Sequence, residues 1–314
     1  MNLALHSVSY AGVWPGQERL SLEEFIPRAA ALGFKGVMLV AKRPHLSLLD
    51  YPSHQPEKRQ ALRALLAEHD LSVHSLAGYN DFTVGPERPD VPFWEHQIVY
   101  IAELAALAHD LDCPAIRIFT GYNRDGLSYD AGWTSVVTGL QEAARLVADF
   151  GVVLTVQNHH DIAVDYESMY QLLSEVDHPN CRAAFDAWSP AVQGLHGNEL
   201  AAAVRRMAPF TAYTTVADYV ALPRYRYEPA LVNYVEEPAR MLGVPLGEGL
   251  IDYGTFFDTL IETGYTGTVA YEMCSSLRDG GNLDSLDAYA RQFQDYMSPY
   301  VAKANAGVAA ATAR

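Results

Sequence analysis

The hydrophobic pattern of this chain alternates between short apolar runs and longer amphipathic segments. Leu3 to Ser9 alternates as a β-strand does, and the following segment places apolar residues at helical spacing before Gly33. About eight such strand-then-helix units follow one another, with the seventh the least regular. Strict alternation of this kind predicts an α/β fold with a parallel sheet, and at 314 residues a single (β/α)8 TIM barrel.

The same pattern predicts the bounds of the elements. The predicted strands cover 3–9, 36–41, 71–76, 115–119, the run from Gly151 to Gln157, 182–185, 211–216 and 268–271. In the first predicted helix Ser21 and Glu24 have capping-box spacing, apolar residues form a stripe from Phe25 to Leu32, and Pro27 is expected to kink it. The other predicted helices cover 57–68, 94–111, 133–148, 166–176, 199–207, 253–262 and 283–297.

No linker or composition break divides the chain, so one domain is predicted over residues 1–300, followed by an Ala-rich tail over 301–314. An open doubly wound sheet would usually carry a glycine-rich phosphate turn after its first strand, and the residues around Gly12 and Gly16 lack that spacing.

The segment from Val220 to Leu246 is too long to lack structure without a purpose, and it predicts a lid loop over the barrel mouth after strand seven. Its Tyr225, Tyr227 and Tyr234, with Arg224 and Arg226, suit a hydroxylated ligand. Packing on the barrel rim or at a subunit interface is the open alternative.

Composition narrows the possible partners. The net charge of −16 and the pI of about 5.0 argue against nucleic acid as a partner. No window approaches the roughly twenty apolar residues of a membrane span, and no leader-like segment is visible. The three cysteines, Cys113, Cys181 and Cys274, are widely separated. They favour a reducing compartment, so a cytoplasmic protein is expected.

Polar residues recur where the predicted strands end. They are His6, His45, His74, Arg117, Gln157 with His159 and His160, Asp186, Thr215 with Asp218, and Glu272. Each one alone is more often a hydrogen-bonded structural group than a ligand. Because the active site of such a barrel is built at the carboxyl ends of its strands, the whole set predicts one polar site.

Five motifs resemble the xylose isomerase-like TIM barrels of sugar isomerases and epimerases. They are Gln157–His159, Phe185–Asp186, Thr215–Asp218, Gly247–Asp252 and Gly264–Glu272, and the last two are the most specific. The resemblance spans nearly the whole chain. It implies an enzyme that acts on a small carbohydrate.

The resemblance also implies a divalent metal, most often Mn²⁺, held by a Glu, an Asp, a His and a Glu on strands five to eight. Asp186 and Glu272 match that set, whereas Gln157 stands in place of the first Glu and Thr215 in place of the His. Either Gln157, Asp186 and Glu272 hold the metal with His159 or water, or the metal has been lost; both remain open.

The resulting hypothesis is metal-assisted proton transfer on a sugar or keto-sugar. His159 or His160, with a pKa near neutrality, is the predicted base, and Glu272 is the second catalytic group. Arg117 would orient a ligand oxygen or pair with Asp186. The other predicted substrate contacts are His6, His45, His74, Trp188, Thr215 and Asp218.

Two other functions remain open. The first is a lyase acting on 3-keto-glycosides, similar to the large subunit of bacterial C-glycoside deglycosidases, which implies a small β-rich partner subunit. A histidine base suits β-elimination and would explain the missing Glu. The second is a non-catalytic barrel that binds a sugar or serves as a subunit. A homo-oligomer is compatible with each.

Overall fold

The computed structural model describes residues 1–85, 88 and 90–312, with side chains as far as residue 307. In chain order its strands, β1 to β10, are Asn2–His6, Gly36–Val40, Ser72–Ala77, Ala115–Ile118, Val153–Gln157, Cys181–Ala184, Thr211–Val216, Asp218–Glu228, Asn233–Val244 and Thr268–Tyr271. The helices, α1 to α9, are Leu22–Ala31, Pro56–Glu68, Phe93–Asp110, Tyr129–Ala148, Tyr166–Val176, Trp188–Val192, Gly197–Met207, Tyr253–Glu262 and Leu283–Thr312.

Eight parallel strands close into a barrel in the order β1-β10-β7-β6-β5-β4-β3-β2, which confirms the predicted (β/α)8 fold. Closure joins the first and last barrel strands, with Asn2 opposite Thr268 and Leu5 opposite Tyr271. The buried faces of the flanking helices pack around this sheet, so most of its strand residues are buried on both faces.

The interior of the barrel has a small apolar core of its own, separate from the layer between sheet and helices. Its members are Ala4, Met38, Ala77, Ala184, Tyr213 and Ala270. Alanines predominate, and the two large side chains fill the space that they leave. These six side chains fill the barrel interior, so a ligand can bind only outside the ends of the strands.

Two local signals at the first helix have different outcomes. The Ser21 hydroxyl accepts from the Glu24 amide, and the Glu24 carboxylate accepts from the Ser21 amide, so the capping box is present. Pro27 lies inside α1, which continues to Ala31 with Ile26 and Ala29 fully buried. Burial of the apolar face thus outweighs the hydrogen bond that the proline removes.

The predicted lid loop is wrong in one respect, because the segment is an antiparallel hairpin of β8 and β9 with Asp218 opposite Val244. Strand pairing satisfies backbone groups that a loop would leave to water. The hairpin base is buried through Tyr219 and Val244, whereas Tyr225 and Tyr234 further out are 60% and 66% exposed. Only the base therefore reaches the barrel mouth.

The chain ends on a helix longer than predicted. α9 continues through the predicted tail to Thr312, while residues 313–314 lie outside the described residues. Tyr289, Phe293 and Met297 bury its inner face against the barrel, and alanine-rich sequence beyond them has high helix propensity. No helix in the described part of the chain combines the length and hydropathy needed to cross a bilayer.

A glycine contact provides a test of the helix layer. A Cβ built on Gly139, inside α4, would clash with the buried Phe82 ring. We expect Gly139→Val to lower the free energy of unfolding by roughly 1–3 kcal/mol through overpacking, as measured by urea denaturation. Gly307→Val is the control, because Gly307 is an exposed position in α9 with no atom within 4 Å of such a Cβ. Equal effects of both substitutions would contradict the packing argument.

Candidate functional site

A cavity of about 700 Å³ opens at the carboxyl ends of the barrel strands. Eight of the residues predicted for the site line it: Arg117, Gln157, His159, His160, Asp186, Trp188, Thr215 and Glu272. Barrel closure brings them together although Arg117 and Glu272 are far apart in sequence. Lys42, Tyr79, Tyr122, Tyr219 and Cys274 also line the cavity and were not predicted; they lie in loops or at the hairpin base, where strand periodicity gives no signal.

A hydrogen-bonded network holds Asp186 at the cavity floor. The Gln157 amide nitrogen donates to Asp186 Oδ2 at 2.8 Å and to Thr215 Oγ1 at 3.1 Å. Asp186 Oδ1 accepts from the backbone N–H groups of Trp188 and Ser189 at 3.1 and 3.4 Å. Burial raises the pKa of Asp186 to about 6, although these donors favour the carboxylate form.

Glu272 lies directly after β10, with 14% of its side chain exposed to the cavity. Burial raises its pKa to about 7, opposed by the positive charge of Arg117 and reinforced by the negative charge of Asp186. Both forms of the Glu272 carboxyl are therefore populated near neutral pH.

His6 reaches the site through Glu272. Its Nδ1 accepts a hydrogen bond from the Val8 amide, so the neutral ring carries its proton on Nε2, which faces Glu272 Oε2 at 3.6 Å. Burial, followed by the charge of Arg117, lowers the pKa of this fully buried histidine well below its usual value. His6 is thus a neutral group beside the carboxyl and does not line the cavity.

The histidine pair differs from the sequence prediction, which gave both residues a pKa near neutrality. Burial lowers the pKa of His160 to about 4, and its Nε2 shares a 2.8 Å hydrogen bond with the Tyr122 hydroxyl. His159 is more exposed at the mouth, and partial desolvation with the charge of Arg117 lowers its pKa as well. Both imidazoles are neutral at pH 7, and His159 is the more accessible proton acceptor.

Arg117 projects from β4 into the cavity wall and is 2% exposed. Its Nη1 donates to the Gly78 carbonyl at 3.3 Å, and the guanidinium lies 4.2 Å from the Phe119 ring centroid. The predicted alternative of an ion pair with Asp186 is wrong, because no carboxylate in the described residues lies within 4.0 Å of this group.

Three other predicted substrate contacts lie outside this cavity. His45 Nε2 bonds to the Leu20 carbonyl at 3.1 Å, and the ring stacks on Phe25. His74 bonds to Thr268 near the amino-terminal ends of the strands, because it stands early in β3 rather than at its end. Their positions do not support the predicted contacts.

Asp218 is the third predicted substrate contact that lies outside this cavity. Its carboxylate accepts from the backbone N–H groups of Tyr219, Gly247, Gly249 and Ile251. These bonds tie the start of the hairpin to the loop before α8, so the resemblance in this motif reflects loop structure. Trp188, by contrast, does line the cavity and packs 4.3 Å from the Tyr219 ring.

The donor set at the floor does not fit the family's metal site. Among the described residues no group of three His, Cys, Asp or Glu side chains is placed to hold an ion. The Gln157 amide presents its nitrogen to the other candidate ligands, and both Asp186 oxygens already accept hydrogen bonds. A cation would also face the positive charge of Arg117.

Comparison with known proteins identifies the same fold. A family model described as xylose isomerase-like TIM barrel matches residues 26–295. The search of curated proteins finds no match. A D-psicose 3-epimerase from Clostridium cellulolyticum H10, solved with D-tagatose, is 14% identical with a TM-score of 0.70, over 96% of this chain and 99% of that one.

Two further solved structures are similar over nearly their whole length. A probable 3-DHS dehydratase involved in petrobactin synthesis in Bacillus anthracis is 18% identical, with a TM-score of 0.68, over 94% of this chain and 98% of that one. A xylose isomerase-like TIM barrel protein from Mycobacterium smegmatis, in complex with magnesium, is 14% identical, with a TM-score of 0.67, over 96% and 97%. At these identities the likeness shows the fold.

The raised pKa of Glu272 predicts a pH-dependent stability. In the folded state this group binds a proton up to about pH 7, whereas its reference value is 4.5, so the free energy of unfolding falls as pH rises between these values. The Glu272→Gln variant has no carboxyl at this position, so it avoids this fall in the free energy of unfolding. We therefore expect the variant to gain up to about 3 kcal/mol relative to the unsubstituted protein across this window, measured by urea denaturation in EDTA.

Glu142→Gln provides the matched control, because Glu142 is an exposed glutamate of α4. Its stability difference from the unsubstituted protein is expected to stay flat over the same pH range. A flat difference for Glu272→Gln as well would mean that this carboxyl has no raised pKa.

Proposed function

This chain belongs to the family of xylose isomerase-like TIM barrels, and we propose that it catalyses proton transfer next to the carbonyl of a sugar or keto-sugar. The solved structures of similar fold include a D-psicose 3-epimerase, which supports an activity of the isomerase or epimerase type. The observation that carries the proposal is the position of the Glu272 carboxyl, whose pKa burial raises to about 7, on the wall of a cavity large enough for a hexose.

Glu272 is the proposed acid and base. A carboxyl with a pKa of about 7 can take a proton from carbon as the carboxylate and return it as the acid. The Nε2–H group of His6 lies 3.6 Å from Glu272 Oε2 and has no hydrogen-bond partner in the described residues, so it can orient that carboxyl once the two atoms come closer. His6 is then a positioning residue.

Replacement of the family's first Glu by Gln157 restricts the stereochemistry. An amide cannot accept the proton, so two carboxylates cannot act from opposite faces of the carbon through this position. Shuttling one proton between adjacent carbons on a single face needs only one base, which favours aldose–ketose isomerisation. Inversion of configuration at the carbon would require His159, at the cavity mouth, as the second proton-transferring group.

The negative charge that develops on the substrate oxygens needs a counter-charge. Arg117 and Lys42 both line the cavity and can donate to such an oxygen. Their position supports a mechanism in which side-chain cations supply this stabilisation. The donor set of Gln157, Asp186 and Glu272 argues against the predicted Mn²⁺.

Elimination from a 3-keto-glycoside is the second candidate. It needs one base beside a carbonyl and one acid at the leaving oxygen, which a neutral His159 and a protonated Glu272 would provide. One protein of similar fold is a probable 3-DHS dehydratase, and dehydration is also an elimination. The partner subunit, the homo-oligomer and the cytoplasmic location remain predictions.

The proton-transfer proposal is tested by exchange with solvent deuterium. Incubated in D2O with free aldoses and ketoses, the protein should exchange the hydrogen next to the carbonyl of at least one sugar, detected by NMR. Glu272→Gln should slow that exchange by about a hundredfold or more. Glu142→Gln should leave it unchanged.

Three outcomes bear on the assignment. Absence of exchange with all sugars, together with consumption of 3-keto-glycosides, would favour elimination. Exchange that is unchanged in His159→Ala would exclude His159 as the base. If the protein catalyses neither exchange nor elimination with either class of substrate, the non-catalytic barrel is the remaining assignment.

Removal of metal provides a separate test. We expect the exchange activity to survive dialysis against EDTA, because Arg117 and Lys42 occupy the electrostatic role of the ion. The measurement is the exchange rate before and after chelation, with metal analysis of the purified protein. A loss of activity that Mn²⁺ restores, and that Zn²⁺ or Mg²⁺ restores less well, would establish the metal mechanism.

A further inference from the structure

Among the residues that the structure describes, Arg117 is a buried cation without an anionic partner. It is 2% exposed, and the described residues give its guanidinium one hydrogen bond, to the Gly78 carbonyl. Its Nε is buried and makes no hydrogen bond. Because an unpaired charge is costly to hold away from water, the site is incomplete as it stands.

Arg59 shows how the same protein treats a guanidinium that serves the fold. It is 3% exposed, yet its Nη1 lies 2.6 Å from Asp110 and its Nη2 lies 3.9 Å from Glu103. Its Nε also donates to the Tyr51 carbonyl at 3.0 Å. The two arginines are equally buried, and only the one at the cavity lacks a carboxylate.

A second cation faces the same space. Lys42 is half-buried, and its Nζ lies 4.0 Å from the Tyr79 ring centroid without a salt bridge in the described residues. Asp81, an acidic residue that also lines the cavity, forms a salt bridge with Arg124. Two positive groups are therefore available to a ligand, in a chain whose net charge is −16.

We propose that this cavity binds a sugar acid, with the substrate carboxylate held by Arg117 and assisted by Lys42. The planar guanidinium fork matches a carboxylate through two parallel hydrogen bonds. A phosphate dianion would call for more donors, usually from a glycine-rich loop, and no glycine is among the described lining residues. The sugar part of this assignment rests on the proposed function, whereas the anion part rests on Arg117.

Equilibrium binding of matched pairs tests the assignment without turnover. The probes are D-glucuronate against D-glucose and D-galacturonate against D-galactose, which differ only at carbon six, with D-glucose 6-phosphate as the phosphate arm. By isothermal titration at low salt, at least one acid should bind about ten- to a hundredfold more tightly than its neutral partner. It should also bind more tightly than the phosphate.

Arg117→Met tests whether the residue serves the ligand or the fold. The preference for the acid should disappear, while the melting temperature without ligand should stay the same or rise, because an unpaired buried charge is removed. Arg59→Met is the matched control and should lower the melting temperature while leaving acid binding intact. Lys42→Met, at the half-buried lip, should weaken acid binding by several-fold and provides a second variant if Arg117→Met does not fold.

The outcomes that overturn the proposal are specific. They are equal affinity within each pair, tighter binding of the phosphate, no saturable binding of either acid, or a preference that survives both Arg117→Met and Lys42→Met. A large loss of stability in Arg117→Met that matches Arg59→Met would assign Arg117 to the fold.

Failure here is distinguishable from failure of the proposed function. Acid binding that depends on Arg117, with no deuterium exchange on any sugar, keeps the anion site and rejects the proton-transfer chemistry. Exchange on a neutral sugar, with no preference for acids, keeps the chemistry and rejects the sugar acid.

Discussion

Closure of the sheet between β1 and β10 is the constraint on which the rest of this structure depends. Parallel pairing from Asn2 opposite Thr268 to Leu5 opposite Tyr271 joins the two ends of the chain. The residue after each run, His6 and Glu272, then lies at the same rim, with 3.6 Å between ring nitrogen and carboxylate oxygen. No local interaction could bring these two together, and without closure the Glu272 carboxyl would lose its neighbour and its burial.

Burial at that rim sets the chemistry of the site. Desolvation raises the pKa of Asp186 and Glu272 and lowers that of His159 and His160. Acids and bases of very different intrinsic strength are thereby brought toward neutral forms at pH 7. Arg117 is the exception, because a guanidinium stays charged, and the described residues give it one hydrogen bond and an aromatic contact but no salt bridge. The balance of charge in the cavity is therefore completed by whatever binds there.

The fold was predictable because its signals are local and repeated. Apolar runs bounded by glycines and followed by amphipathic segments such as 166–176 need only near neighbours to be recognised. The hairpin of β8 and β9 was missed because its outer half is exposed on both faces, so no buried face marks it as part of a packed sheet. The final helix was underestimated because an alanine-rich segment has helix propensity but no apolar stripe.

For the site, the sequence by itself determined which residue types stand at the strand ends, including Gln157 and Thr215 where the family places metal ligands. It could not determine the exact position of each residue along its strand. His74 was predicted at the end of a strand and lies near the opposite end of the barrel. Only the tertiary structure decided that Asp218 binds backbone amides, that the histidines lose their near-neutral pKa, and that Arg117 finds no counter-ion in the described part of the chain. Partners, burial and charge balance depend on residues distant in sequence, and these come into contact only when the barrel is closed.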